Sequence, residues 1–427
     1  MRYHIKIPKR KSFVVNILIA YVCCMWFAIS MLHLPSMITY GTDLLLVIGL
    51  VFSFGNFQRE IYKANVKPLI MIMLIIFIAT FWGAFLNGVS PVMYLWGFRN
   101  NGRFYLFFLV CIVMLKERHL AGIVKMLKFF FWVNVLVCTY QYFVLHLFGD
   151  RVGGLFGILQ GGNSYLNIFL AIIWTISLGE YIEKKIKLKN LGIKATFCIY
   201  MAALAEIKMF YVEMIIVVCI SIFIVKPSLK TLGLILCGVI GGVIAIKVMM
   251  VVSPDSIITL FDADARQVYL SGNGYTNTGD LNRFTALSSI HEMFFQGKPL
   301  KELLGFGLGN CDTSTFSFLQ SAFYKQYEYL HYRWFSHAWI YLEQGFVGIL
   351  GVLSFFIGII IILIKNRKKI IKKEVLIASI LFVSVCIINL IYNNSLQTEA
   401  GYLSAIICAI PFVSIKETKG VRKQRIE

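Results

Sequence analysis

The sequence predicts an all-α polytopic membrane protein with about twelve transmembrane helices and one large extracytoplasmic loop that contains membrane-surface helices. Hydrophobic residues make up 59% of its 427 residues and charged residues only 15%, a balance that is not typical of soluble domains. So much apolar surface also excludes a disordered, disulfide-rich or collagen-like chain. Polar residues are concentrated in one long stretch, residues 253–336. Composition therefore favours a helical bundle in a bilayer over a soluble enzyme.

Twelve hydrophobic stretches approach the length of about 20 residues that a helix needs to cross a bilayer. We place these spans at residues 13–33, 37–54, 68–86, 98–115, 129–148, 164–182, 195–207, 209–225, 231–252, 337–364, 375–393 and 400–415. They divide the chain into four parts. Residues 1–252 form a membrane bundle of spans 1 to 9, residues 253–336 the extracytoplasmic loop, residues 337–415 a bundle of spans 10 to 12, and residues 416–427 a basic cytoplasmic tail.

The positions of the basic residues predict the orientation. A formal net charge of +20 could indicate a nucleic-acid partner, so the decisive question is where the positive charges lie. With the N-terminus inside, 30 of the 41 Lys and Arg residues fall in cytoplasmic segments, which is the positive-inside pattern. We interpret the KNRKK run at residues 365–369 and the tail as signals that face anionic lipid. The sequence thus predicts a multi-pass protein of the cytoplasmic membrane with both termini in the cytoplasm and no nucleic-acid partner.

The loop contains two amphipathic patterns. Apolar side chains recur every three or four residues at Phe316, Leu319, Phe323, Tyr327, Leu330 and Trp334, which predicts a membrane-surface helix. The alternative is a helix that packs on the loop's own core. A second helix is predicted over residues 280–296. Cys311 is the only one of the ten cysteines outside the spans, so we expect it on the outer face, within reach of an impermeant thiol reagent where the folded loop leaves it accessible.

Charged side chains gather at the predicted outer ends of the spans. Polar groups at membrane depth are costly to bury and are candidates for function. On the predicted topology, those that reach the outer face or the ends of spans are Arg99, Arg103, Arg151, Glu206, Lys208 and Glu343. The cations among them lie where a lipid headgroup would be. For Arg99 and Arg103 the alternative is snorkelling to the interface or pairing with a nearby acid.

Four segments together resemble a known family. Arg283-Phe-Thr-Ala-Leu287 fits an R-x-x-x-L motif, and His337 begins a second motif that ends in Gly348-Ile-Leu-Gly351. The glycine-rich segment LLGFGLGN lies between them at residues 303–310, and RVGGLFGILQGGN at residues 151–163 precedes the sixth span. In order, spacing and topology these segments are similar to the bacterial O-antigen ligase and polymerase superfamily, which includes the Wzy-type repeat-unit polymerases.

The resemblance implies a metal-independent, inverting glycosyltransferase of the GT-C-like membrane type that needs no cofactor. Its donor would be a polyprenyl-diphosphate-linked oligosaccharide. Cleavage at the diphosphate builds negative charge on phosphate, which Arg283, Lys208 and Arg151 could stabilise without a metal. The attacking hydroxyl must lose a proton, and His337 is the candidate base because an imidazole titrates near neutral pH. Glu343, Glu206, Arg99 and Arg103 are candidate supporting residues, whereas His291 and His331 are predicted to be structural.

The function predicted on this basis is polymerisation of lipid-linked repeat units into capsule, exopolysaccharide or O-antigen on the outer face of the cytoplasmic membrane. A ligase that transfers the glycan to another acceptor and a flippase for the same lipid are the alternatives. Expected partners are the donor and acceptor lipids, the bilayer, and a chain-length regulator and flippase of the same pathway. Asp262-Ala-Asp264 could be a metal-binding D-x-D motif, but no nucleotide-binding fold surrounds it. Gly305-Phe-Gly307-Leu-Gly309 mimics a dinucleotide loop and is predicted to form a turn.

Overall fold

The structure, a computed structural model, describes residues 12–224 and 279–424 together with a few single positions between 247 and 275. Every regular element in this part of the chain is helical. Its α-helices, in chain order, are α1 Ser12–Met31, α2 Gly41–Phe54, α3 Phe57–Ala64, α4 Lys67–Leu86, α5 Pro91–Met114, α6 Glu117–Phe143, α7 Gly162–Ile182, α8 Leu188–Leu204, α9 Lys208–Ile224, α10 Ala286–Ile290, α11 Pro299–Leu304, α12 Ala322–Tyr327, α13 Ser336–Lys365, α14 Lys373–Tyr392 and α15 Ala400–Gln424.

Eight of the described helices are long and apolar enough to cross a membrane. They are α1, α2 with the preceding turn from Ser36, α4, α6, α7, α13, α14 and α15. This confirms the helical, polytopic architecture. The predicted fourth, seventh and eighth spans correspond to α5, which carries two arginines, and to α8 and α9, which are 17 residues long each. Asp264 and all but two residues of the predicted ninth span lie outside the described residues, so the count of twelve stays a prediction.

The last helix is the centre of the bundle. In α15, 94% of the membrane-length window is buried, compared with 78% in α7 and 67% in α14. By contrast, the windows of α1, α2, α4 and α6 are one third buried or less, so most side chains of these helices are at least partly exposed. Small residues such as Gly401, Ser404 and Ala405 let neighbouring helices approach α15 closely.

Helix α13 is broken at Gly345, where φ is 61° and ψ is −158°. The break interrupts the hydrogen-bonding pattern of the preceding turn. The carbonyl of Leu342 instead accepts from the N–H of Phe306 at 2.7 Å, and the carbonyl of Glu343 accepts from the N–H of Gly307 at 2.9 Å. A glycine-rich turn from the loop is therefore inserted at the break in the helix, and it holds the loop against the bundle.

The loop folds around its own apolar core. Buried side chains of the loop, including Ile290, Phe295 and Leu330, pack with Trp339 and Tyr341 from the first turns of α13. We call the end of the bundle that carries residues 279–335 the loop end. The side of the membrane on which it lies stays a prediction.

The predicted membrane-surface helix is wrong as a single element. The structure has four short helical segments there, Ser317–Leu319, Ala322–Tyr327, Glu328–Leu330 and Tyr332–Trp334. Phe294 packs on Phe323 and Tyr327 at ring-centroid distances of 5.2 and 4.9 Å. The middle of the apolar face is thus covered by the loop's own core, as the alternative interpretation proposed, whereas Phe316 and Trp334 at its ends are 44% and 38% exposed.

The second predicted loop helix is much shorter than expected, because α10 begins only at Ala286 and passes into a π-helical turn at His291–Phe295. In the residues before α10, side-chain oxygens accept hydrogen bonds from backbone N–H groups that a longer helix would use. The N–H of Tyr275 donates to the Asp280 carboxylate at 2.8 Å, and the N–H of Phe284 donates to the Asn282 side chain at 3.0 Å. Such local contacts favour a turn over a helix.

Candidate functional site

A cavity of about 900 Å³ opens at the loop end. Its walls come from residues 149–165, from the start of α9, from the loop, and from the end of α14 with the residues that follow it. Three of the predicted site residues, Arg283, Lys208 and Glu206, line it together. The remaining wall is rich in aromatic rings: Trp26, Phe156, Tyr165, Tyr275, Trp334, Phe335 and Tyr392. Cations from distant parts of the chain therefore share one aromatic-lined space.

The Arg283 guanidinium is held by aromatic rings. Its Nε donates to the hydroxyl of Tyr275 at 3.0 Å. Its central carbon lies 5.0, 5.3 and 4.3 Å from the ring centroids of Tyr275, Phe335 and Tyr392. Cation–π contacts of this kind restrict the guanidinium without neutralising its charge. The structure therefore presents a pre-oriented positive group to the cavity.

His337 lies behind Arg283 and is only 7% exposed. Its Nε2 is 2.8 Å from the carbonyl oxygen of Arg283, and its Nδ1 is 3.1 Å from that of Leu390. The adjacent N–H of Ser336 donates to the carbonyl of Asn393 at 3.0 Å, which fastens the start of α13 to the end of α14. A neutral imidazole has one N–H, so only the imidazolium could donate to both carbonyls. His337 is not among the residues that line the cavity, and it ties Arg283 to α14.

Lys208 and Glu206 enter the cavity from a tight turn between α8 and α9. Glu206 adopts a φ of 50°, a left-handed conformation that costs energy in a residue other than glycine. The N–H of Lys208 donates to the carbonyl of Glu206 at 2.9 Å, which closes the turn. This strained turn places the carboxylate of Glu206 and the ammonium group of Lys208 on the same wall of the cavity.

Arg151 is exposed beside the cavity and is not among its lining residues. The neighbouring Asp150 does line the cavity, and its carboxylate accepts from the side chain of Asn163 at 2.6 Å. This bond attaches the segment around Arg151 to the first turn of α7. Arg151 therefore lies next to the cavity, and its role in diphosphate binding stays a prediction.

Arg99 and Arg103 are paired with acids from other parts of the chain, as the alternative interpretation proposed. Arg99 donates to Asp43 from Nε at 3.1 Å. Arg103 bonds Glu399 at 3.1 Å, and the Tyr165 hydroxyl donates to the other oxygen of Glu399 at 2.9 Å. Burial raises the pKa of the Glu399 carboxyl, but the charge of Arg103 and the bond from Tyr165 outweigh it, so the net pKa is below 4.5. Neither arginine lines the cavity, and Arg103 reaches its wall only through Glu399 and Tyr165.

Glu343 faces the glycine-rich turn. Its side chain is fully buried, and Oε1 accepts from the N–H groups of Gly309 at 2.9 Å and Cys311 at 3.2 Å. Gly305, Gly307 and Gly309 all have φ between 71° and 88°, so the segment is a turn. Cys311 is completely buried, contrary to the expected accessibility, and burial together with the nearby Glu343 and Asp312 raises the pKa of its thiol well above 9.

The two remaining histidines of the loop differ in position. His291 contacts the carboxylate of Glu302 at 2.7 Å, away from the cavity, which agrees with a structural role. His331 stacks on Trp334 with ring centroids 4.2 Å apart, and both residues line the cavity. A cavity position for His331 was not predicted, because no feature of the local sequence distinguishes it.

A buried polar network lies below the cavity. The Glu213 side chain is 1% exposed, and its Oε1 accepts from the amides of Asn167 at 3.0 Å and Asn389 at 2.6 Å. Asn393 donates to the Asn389 side chain at 2.8 Å, and both Asn167 and Asn393 line the cavity. Polar contacts thus continue from the cavity floor into the bundle. The position of Glu213 within a span was the only sequence signal for this network.

No protein-family model matches this chain, and no curated protein matches its sequence. The resemblance to the O-antigen ligase and polymerase superfamily consequently rests on the four sequence segments alone.

Proposed function

We propose that this protein is a membrane polymerase that joins polyprenyl-diphosphate-linked oligosaccharide repeat units. The observation that carries the proposal is the meeting of Arg283 and Lys208 in one aromatic-lined cavity at the end of a membrane bundle. Two phosphates need neighbouring positive groups, and sugar rings need flat apolar faces against which to pack. A cavity of about 900 Å³ has room for both parts of such a donor.

In the proposed step, an acceptor sugar hydroxyl attacks the anomeric carbon of the donor from the side opposite the diphosphate. The new glycosidic bond forms as the bond between the anomeric carbon and the diphosphate oxygen breaks, so the configuration inverts. The diphosphate leaves with the bonding electron pair, and Arg283 and Lys208 stabilise the added negative charge. Their effect is greatest in the transition state because the charge grows as the bond breaks.

The proton of the attacking hydroxyl needs a base, and two groups can be weighed. His337 was predicted from its motif, but both of its ring nitrogens face backbone carbonyls in the structure. To act as the base it would have to release one of them. Glu206 already lines the cavity beside Lys208 and offers a carboxylate without rearrangement. We therefore propose that His337 positions Arg283 and that Glu206 is a second candidate base.

The proposal is tested with purified protein reconstituted into liposomes with its polyprenyl-diphosphate oligosaccharide. Products are resolved by size, and wild type should give a ladder. Arg283→Ala should give none, whereas Arg118→Ala, an exposed arginine at the opposite end of the bundle, should match wild type. A normal ladder from Arg283→Ala would remove this cavity from consideration as the active site.

The same liposomes separate the two roles of His337. Loss of a general base should reduce turnover by roughly 100-fold to 10,000-fold and change the shape of the pH–rate profile. Loss of a positioning contact should mainly raise KM for the donor, with partial recovery in His337→Gln, which keeps an N–H donor. Glu206→Gln is measured beside it, since a lost acid limb of the pH profile in that variant would identify Glu206 as the base.

The ligase alternative uses the same cavity and the same step, with a different acceptor. It predicts a single transfer product and no ladder when a second acceptor glycolipid is supplied. The flippase alternative is favoured by one observation, the buried Glu213, since carboxyls at membrane depth are common in ion-coupled transport. It predicts that a fluorescent donor lipid crosses the bilayer unchanged, and that Glu213→Gln stops this movement.

A further inference from the structure

A second cavity lies at the end of the bundle opposite the loop. It has a volume of about 370 Å³ and is formed between α6 and the neighbouring helices α7, α14 and α15. Four lysines and two glutamates line it, which leaves a surplus of two positive charges: Lys125, Lys128, Lys185, Lys372, Glu180 and Glu374. We call this space the basic cleft. It does not share a lining residue with the candidate active site.

Both carboxylates of the basic cleft are already neutralised by lysines. Lys128 donates to Glu180 at 2.6 Å, and Lys185 pairs with Glu374. Lys125 and Lys372 are then left on the rim, with no carboxylate within 4 Å of either ammonium group in the part of the chain that the structure describes. The Lys372 ammonium donates to the backbone carbonyl of Glu117 at 3.5 Å, and the Glu117 carboxylate lies more than 4 Å away but close enough to attract it. The rim therefore offers two cations to an anionic ligand.

The floor of the basic cleft is apolar. Val124 and Val375 remain partly exposed on it, and the other apolar lining residues include Ile176, Ile407 and Ile410, which are 6% exposed or less. A free phosphate compound would leave this floor uncovered, whereas a hydrocarbon chain would bury it. On its outer flank the cleft is bordered by α6, whose membrane-length window is only 33% buried, so that helix borders lipid.

We propose that the basic cleft binds an anionic phospholipid of the phosphatidylglycerol class. The phosphate lies between Lys125 and Lys372, and an acyl chain covers the apolar floor. Charge argues against either end of this chain as the occupant, because residues 1–11 and 416–427 both carry more basic than acidic residues. Basic clefts between membrane helices suit anionic headgroups for the same electrostatic reason that juxtamembrane lysines do.

The experiment measures lipid binding to the full-length protein in detergent by native mass spectrometry. Phosphatidylglycerol and phosphatidylcholine are titrated separately into wild type, Lys125→Ala/Lys372→Ala and a control in the loop at the other end of the bundle, Lys298→Ala/Lys325→Ala. The control removes the same charge from exposed residues outside the cleft. Each lysine near an anionic headgroup contributes a factor of about five, so the rim variant should bind phosphatidylglycerol about 25-fold more weakly. The control should bind it as wild type does.

A second variant tests the floor without changing charge. Val124→Trp fills the cleft from α6 and should weaken phosphatidylglycerol binding while leaving the melting temperature of the lipid-free protein near that of wild type. The proposal is overturned if wild type binds the two lipids equally well, or if the rim variant and the control lose affinity equally. It is also overturned if millimolar glycerol phosphate displaces the lipid, since the ligand would then be a soluble phosphate compound.

Discussion

Replacing Gly309 by alanine tests whether the glycine-rich turn locks the loop onto the membrane bundle. Gly309 has a φ of 83°, and an added Cβ would lie 1.9 Å from the carbonyl oxygen of Met93 in α5. The left-handed conformation costs about 1–2 kcal/mol for a residue with a side chain. The steric overlap with a backbone atom costs about 1–3 kcal/mol more, because one of the two segments must move. We expect the free energy of unfolding to fall by about 2–5 kcal/mol.

Three other glycines separate these two contributions. Gly88 has a φ of 64° with nothing within 4 Å of its added Cβ, so alanine there should show the conformational cost alone. Gly97 lies in α5, and its Cβ would come 2.2 Å from the amide nitrogen of Gly309, so alanine there shows the steric cost from the other side of the same contact. Gly122 in α6 has neither problem, and alanine should be neutral or stabilise the helix by about 0.5–1 kcal/mol.

The assay is thermal unfolding in detergent, followed by circular dichroism, with trypsin cleavage at the exposed Lys325 as a reporter of loop release. The expected order of destabilisation is Gly309→Ala first, Gly97→Ala and Gly88→Ala next, and Gly122→Ala last. Loop cleavage should accelerate in Gly309→Ala and Gly97→Ala only. If Gly309→Ala unfolds and is cleaved like Gly122→Ala, the turn does not lock the loop onto the bundle.

Three further predictions concern single groups. Arg283→Lys should lower turnover by about 10-fold to 1,000-fold although the charge is conserved. The reason is that a lysine ammonium cannot keep both the hydrogen bond to Tyr275 and the contacts with the aromatic rings. Wild-type rates in the liposome assay would contradict this prediction. Cys311 should resist an impermeant maleimide at pH 7 until the protein is denatured. An introduced Ser317→Cys in the exposed part of the loop should react at once and report the side of the membrane on which the loop lies. Rapid labelling of Cys311 in the native protein would refute its burial. The pKa of Glu399 is lower in the folded protein than its ordinary 4.5, so its contribution to stability is present above pH 4.5 and is lost as the pH falls below that value. Glu399→Gln should flatten this part of the pH–stability curve. An unchanged slope would argue against the pair with Arg103.

The helical membrane architecture was predictable from sequence, and the sequence also named the candidate cations. Hydrophobic stretches are local features, and a helix in lipid must satisfy its own backbone hydrogen bonds, so length and composition suffice to locate α1, α4 or α14. Arg283 stood out through the R-x-x-x-L motif of the resemblance, and Lys208 stood out because a charged residue at the end of a predicted span is costly to bury. The sequence does not specify which of these charged side chains lie together in one cavity.

Tertiary structure decided the composition of the site. Arg283 and the carbonyl-bound His337 are 54 residues apart, and Tyr392 contributes a ring to the same arginine from another helix. Arg99 and Arg103 were candidate supporting residues, but each pairs with an acid from a distant part of the chain, and neither lines the cavity. Such pairings depend on how helices pack, which no single segment specifies.

The loop shows most clearly which features the sequence determines and which the tertiary structure decides. The apolar repeat from Phe316 to Trp334 is equally consistent with burial in lipid and burial in protein, because both environments exclude water from the same side chains. Only the fold shows that Phe294 covers Phe323 and Tyr327, and that the turn at Gly305–Gly309 fills the break at Gly345. The sequence alone determined that this stretch carries an apolar face, whereas the tertiary structure decided which of its side chains are covered and by what, since hydrophobic burial is driven by area and does not specify a partner.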